Sequence, residues 1–157
     1  MRVLNEYWVD ENGEVPLPVD ATALAEKLGA EVFAADLNDD LAGFIYKAPG
    51  QAAQITVNQN HHLHRRRFTC AHELGHFIER RGTPEIGYID NRDTLSAHGT
   101  NPHEVYANTF AAALLMPEDE LEYYAQDHDL YSLARLFRVS TESMEYRLRT
   151  LRIKVAV

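Results

Sequence analysis

His72-Glu73-Leu74-Gly75-His76 constrains this chain more than any other stretch, because its chemistry exists only on a helix. Residues four apart on a helix share one face, about 6 Å apart along the axis. His72 and His76 can then close on a single Zn²⁺ through one ring nitrogen each, at about 2.0–2.1 Å. Glu73 sits about 100° further round. Its carboxylate lies beside such a metal rather than on it, where it can take a proton from water.

The surrounding run predicts that helix over 65–81. It contains no proline and one interior glycine, Gly75. Phe68, Ala71, Leu74, Gly75 and Ile78 recur at helical spacing. Arg80 and Arg81 suit the negative end of the dipole, and Gly82 with Pro84 beyond it suits the stop. Gly75 costs a helix interior about 1 kcal/mol, so a missing side chain there predicts close packing. HExxH strings also arise by accident, as two surface histidines on a polar face, so a third ligand must decide.

At 157 residues a single domain over 1–157 is expected, long enough to bury a core. One cysteine, Cys70, excludes an internal disulfide framework and fits a reducing compartment. Two residues before His72, it falls on another side of the helix and reads as a small core residue. No apolar run approaches membrane length, and residues 1–13 lack the apolar centre of a signal peptide, so a cytoplasmic location is expected. The net charge is −9, but residues 130–157 carry six Arg/Lys against two Glu, leaving −13 on the rest. An acidic body disfavours general nucleic-acid binding.

Val15-Pro16-Leu17-Pro18 reads as an extended lead-in, followed by a helix over Ala21–Leu28. Asp20 is its cap, Val19 and Leu24 its staple, and Gly29 its stop. Strands are expected at Glu31–Ala35, Gly43–Lys47 and Gln54–Asn58, the last two joined as a hairpin through Pro49-Gly50. His61, His62 and His64 read as solvated loop residues. The stretch 83–100 is a long connection with a short strand at Ile86–Ile89. A helix follows from Thr100 or Asn101 to Met116, then one over Glu118–Gln126. Leu133–Phe137 and a Ser140-capped helix, with Val139 and Met144 as staple, have helix-turn-helix proportions. Packing or partner docking is the expected use of that pair, and direct nucleic-acid contact is not.

One segment could supply the third ligand and a partner for it. Glu104 opens the helix after the connection, and Asn108, one turn on, could orient a bound imidazole from behind. Yet Asn101-Pro102-His103-Glu104 also fits a capping box. Spacing leaves the two readings of Glu104 open.

Arg67-Phe68-Thr69-Cys70-Ala71-His72-Glu73-Leu74-Gly75-His76, with Glu104-x-x-Ala107-Asn108-x-Phe110-Ala111 and Leu114-Leu115-Met116-Pro117, resembles the ImmA/IrrE family of zinc metallopeptidases. The resemblance covers most of the chain. It implies a gluzincin-like site, with zinc on His72, His76 and Glu104 and Glu73 as the catalytic base. Where many members carry a second acidic residue before the Ala-Asn pair, this sequence has Tyr106. The implied fold is α+β and zincin-like: a small antiparallel or mixed sheet packed on the HExxH helix and further helices, with a C-terminal helical hairpin over 130–157.

The implied function is a zinc-dependent endopeptidase that cuts a repressor of the helix-turn-helix type, derepressing stress or mobile-element genes. The alternative is a non-proteolytic module that binds a repressor or forms half of a toxin–antitoxin pair. An extended substrate is expected to add as a strand along Gly43–Lys47. His98, Tyr88 and Tyr106 are the candidates for stabilising the oxyanion.

Overall fold

Four strands form one mixed sheet, and its order decides which strand faces solvent. The structure, a computed structural model, describes residues 1–91 and 101–156. The strands are β1 (Glu31–Ala35), β2 (Leu41–Lys47), β3 (Gln54–Asn58) and β4 (Ile86–Asn91), in the order β1-β3-β2-β4. β1 runs parallel to β3, with Val32 opposite Ile55. β2 runs antiparallel to both of its neighbours, with Ile45 opposite Ile55 on one side and Tyr88 on the other. The expected hairpin between β2 and β3 is present, and Gly50 takes the positive φ of +73° that the turn demands.

This order corrects one expectation. β2 is no edge: β4 is hydrogen-bonded along it from Ile86 to Asn91. Backbone groups already paired cannot receive a substrate strand along Gly43–Lys47. Among the described residues the edges of the sheet are β1 and β4.

The chain divides into two compact units. Residues 20–111 hold the sheet, α2 (Ala21–Lys27), α3 (Leu63–Glu79) and the first ten residues of α4 (Pro102–Leu115). Asp20 caps α2 by accepting the Ala23 N–H at 3.1 Å, and Gly29 follows the helix with φ +94°. α3 packs on β2 and β3, over a core of Ile45, Ile55, Leu74 and Ala71, all essentially buried. Asn58, fully buried at the end of β3, donates through Nδ2 to the carbonyls of Asn38 and Leu41, both at 2.9 Å. That fixes the loop between β1 and β2 and the approach of the chain to α3.

β2 lies close on its neighbours because Gly43 has no side chain. A Cβ there would fall 2.5 Å from the Thr56 carbonyl oxygen and 2.7 Å from Thr69 Cγ2. Gly43→Ala is therefore expected to destabilise the fold by about 1–3 kcal/mol, as overpacking does. Urea denaturation checks this; a midpoint equal to the parent's would show that strand and helix part freely.

The second unit comprises residues 1–19 and 112–157. It contains α1 (Arg2–Tyr7), α5 (Glu118–Ala125), α6 (Leu130–Phe137) and α7 (Thr141–Leu151). Sequence reading missed α1, whose local signal is the Arg2–Glu6 pair one turn apart at 2.9 Å. Leu121, Leu133, Phe137 and Met144 are buried here. α6 starts three residues earlier than expected because Asp129 accepts the Ser132 N–H at 2.8 Å. Ser140 caps α7 as expected, accepting from the Ser143 N–H at 3.0 Å. Arg138, at φ 56°, makes the left-handed turn between them. Arg147 Nε donates to the Met116 carbonyl at 3.1 Å, satisfying a group left over where Pro117 ends α4. Among the described residues no helix is long and apolar enough to cross a membrane.

Candidate metal centre

Everything at this site follows from where α4 crosses α3. Gly75 marks the contact: a Cβ on it would lie 3.1 Å from Ala107 Cα and 3.2 Å from Phe110 Cβ. Two small residues, Gly75 and Ala107, let the backbones meet. The neighbours of Gly75 on α3 are His72 and His76, and those of Ala107 on α4 are Glu104 and Asn108. Close approach at one point therefore brings four polar side chains together.

The resulting distances are short. Glu104 Oε2 lies 3.0 Å from His72 Nε2, and Glu104 Oε1 lies 3.1 Å from His76 Nε2. Asn108 Oδ1 lies 2.8 Å from His72 Nδ1. The two imidazoles meet edge to face, with ring centroids 4.8 Å apart and planes at 84°. One donor atom from each of His72, Glu73 and His76 lies within 4.8 Å of the others. His72, Glu73 and His76 are fully buried, and Glu104 is 8% exposed.

The donor chemistry fits a divalent metal. A neutral imidazole has one N–H and one lone pair. His72 faces an amide oxygen at one nitrogen and a carboxylate oxygen at the other. With Asn108 accepting from Nδ1–H, Nε2 turns its lone pair toward Glu104, an arrangement that a cation between them would satisfy. Ligands about 2.0–2.1 Å from a common tetrahedral centre stand roughly 3.3 Å from one another. Glu104 reaches both Nε2 atoms at close to that separation. Two nitrogens and one carboxylate, with a fourth position left open, is a donor set of catalytic zinc.

The Glu104 carboxylate turns to the two imidazoles, and Asn101 Oδ1 accepts the His103 N–H at 2.9 Å at the start of the helix. Tyr106 is two residues from Glu104, so the helix turns it about 200° away. Its ring stacks on Phe110 at 6.3 Å, and burial, with Glu79 nearby, pushes its phenol up from the ordinary value. His98 lies outside the described residues, as does the Tyr88 side chain.

Other histidines part from expectation. His61 is buried and holds the Asp39 carbonyl at 2.7 Å through Nε2, so it is structural rather than solvated. His62 is the N-cap of α3, accepting the His64 N–H at 3.1 Å. Sequence reading overlooked His103, whose Nδ1 meets Glu79 Oε1 at 2.7 Å. Its signal was its place beside Glu104, with Glu79 three residues after His76. Cys70 is the core residue expected: it is 3% exposed, and its thiol meets Thr22 Oγ1 at 3.7 Å. Burial pushes that thiol up to about 11, only partly opposed by the Thr22 contact, so it stays protonated at neutral pH.

Comparison with known proteins bears on these residues. Residues 25–149 match the family Peptidase_M78, described as the IrrE N-terminal-like domain. That span takes in both helices of the site. The "Uncharacterized immunity region protein 2" of Bacillus phage phi105 is 34% identical over 103 residues, 64% of this chain. The match covers 61% of that relative's length, less than two thirds.

Proposed function

Because this chain belongs to the Peptidase_M78 (IrrE N-terminal-like domain) family, a family of metallopeptidases, we propose that it is a zinc-dependent endopeptidase with a zincin-like catalytic unit. One observation carries the proposal: a single carboxylate, from Glu104, within 3.0 and 3.1 Å of the Nε2 atoms of His72 and His76.

His72, His76 and Glu104 would hold the metal. Zinc bound there supplies Lewis acidity, which acidifies water and polarises a peptide carbonyl. The protein's own groups do the rest. Glu73 accepts the proton of the attacking water on its carboxylate and returns it to the leaving amine nitrogen. Its full burial keeps bulk water from competing for that proton. Asn108 fixes the His72 tautomer and ring plane by accepting a hydrogen bond from Nδ1–H. Among the described residues β4 is an edge of the sheet, and an extended substrate would pair along its outer side, since β2 is taken.

The substrate we propose is a repressor of the helix-turn-helix type, met in the cytoplasm and cut to derepress stress or mobile-element genes. A relative named for a phage immunity region supports a regulatory target. The test is to incubate the zinc-loaded protein with a helix-turn-helix repressor taken from the same genome. A discrete cut that a chelator abolishes is expected. A repressor bound in stoichiometric amount and never cut would replace the peptidase with a sequestering module.

A further inference from the structure

We infer that the Glu79–His103 hydrogen bond is a clasp that holds Glu104 at the metal site, so that two residues outside the metal's ligand set help to set its affinity. The inference rests on the zinc reading above. Glu104 lies in the first turn of α4, whose N–H groups have no partner within the helix and whose end is prone to fray. A carboxylate that must meet two ring nitrogens at 3.0 and 3.1 Å tolerates little drift there.

Contacts of three kinds, among the described residues, help to restrain that turn. Ala107 sits against Gly75 one turn further in. Asn101 Oδ1 caps the His103 N–H, a contact local to α4. The Glu79–His103 bond is different in kind, because it ties the turn to the other helix. Glu79 is the last residue of α3, three after His76, and His103 is the residue next to Glu104. A carboxylate only accepts, so His103 Nδ1–H donates, and 2.7 Å is the short separation of a hydrogen bond to a charged oxygen. Clasp and ligands thus alternate along the two helices: His76 and Glu79 on α3, Glu104 and His103 on α4. The pair is partly open to water, with side chains 24% and 41% exposed. Removing it therefore leaves no buried polar group stranded, and the fold should survive the test.

Zinc affinity is measured by competition with a chromophoric chelator for the full chain, for His103→Ala, Glu79→Ala and their double variant, and for His103→Asn. The asparagine amide places an N–H near the position of the lost Nδ1–H. Each alanine variant is expected to bind zinc about tenfold more weakly, in the range of outer partners of metal sites. The double variant should lose no more, and His103→Asn should recover most of the loss. The visible band of the Co²⁺-loaded protein should shift in the alanine variants and return in His103→Asn. Should an alanine variant lose helical circular dichroism, Glu79→Gln decides, since it keeps an acceptor oxygen; its loss is expected to be small. Zinc affinities equal to the parent's in the alanine variants, or losses that simply add in the double variant, would overturn the clasp alone. A parent protein that takes up no zinc would overturn the metal reading and the clasp with it.

Discussion

Glu73→Gln is expected to bind zinc as tightly as the parent and to cut its substrate at least about 100-fold more slowly, the contribution of a placed general base. The amide occupies almost the same volume, so burial of residue 73 is not disturbed. What it loses is the ability to take a proton and hand it on. Metal content and single-turnover cleavage, measured on the same preparation, separate the two effects. Equal turnover in parent and variant would remove Glu73 from the chemistry. Loss of zinc with the variant would instead give Glu73 a ligand's role, which its place within 4.8 Å of the imidazole donors makes the natural rival reading.

Glu104→Ala is the second large effect. It removes the carboxylate whose two oxygens each face one of the imidazoles, so zinc binding should fall further than in Asn108→Ala, for which roughly 10–100-fold is expected. Asn108 acts only through the His72 ring, by the 2.8 Å contact at Nδ1. The order of the two variants is the informative quantity. Zinc retained in full by Glu104→Ala would return this residue to a capping role and leave the metal with two protein ligands, too few for a stable catalytic site.

Much of the local structure was legible along the chain. The helix carrying His72 and His76 was expected over 65–81 and forms over 63–79. The strands Glu31–Ala35 and Gln54–Asn58 form over the residues expected for them. Asp20 and Ser140 cap as their side chains predict. Gly75, marked as a costly residue that something must approach, is where Ala107 and Phe110 do approach. Each of these depends on neighbours within a few residues, and such neighbours are written consecutively.

What the sequence by itself determined is the local part of the site: two imidazoles one turn apart, with a carboxylate between them in the chain. Only the tertiary structure decided the rest. Glu104 could cap its own helix or face the histidines, and the crossing at Gly75 and Ala107 turned it to the histidines. β2 could be an edge or an interior strand, and the pairing of β4 made it interior. His61 could face water or a carbonyl, and the loop held at Asn58 gave it the Asp39 carbonyl. In each case two local arrangements were available to the same residues. The choice between them was made by a group far away in the chain that reaches the same point in space, a distance that spacing along the sequence does not encode.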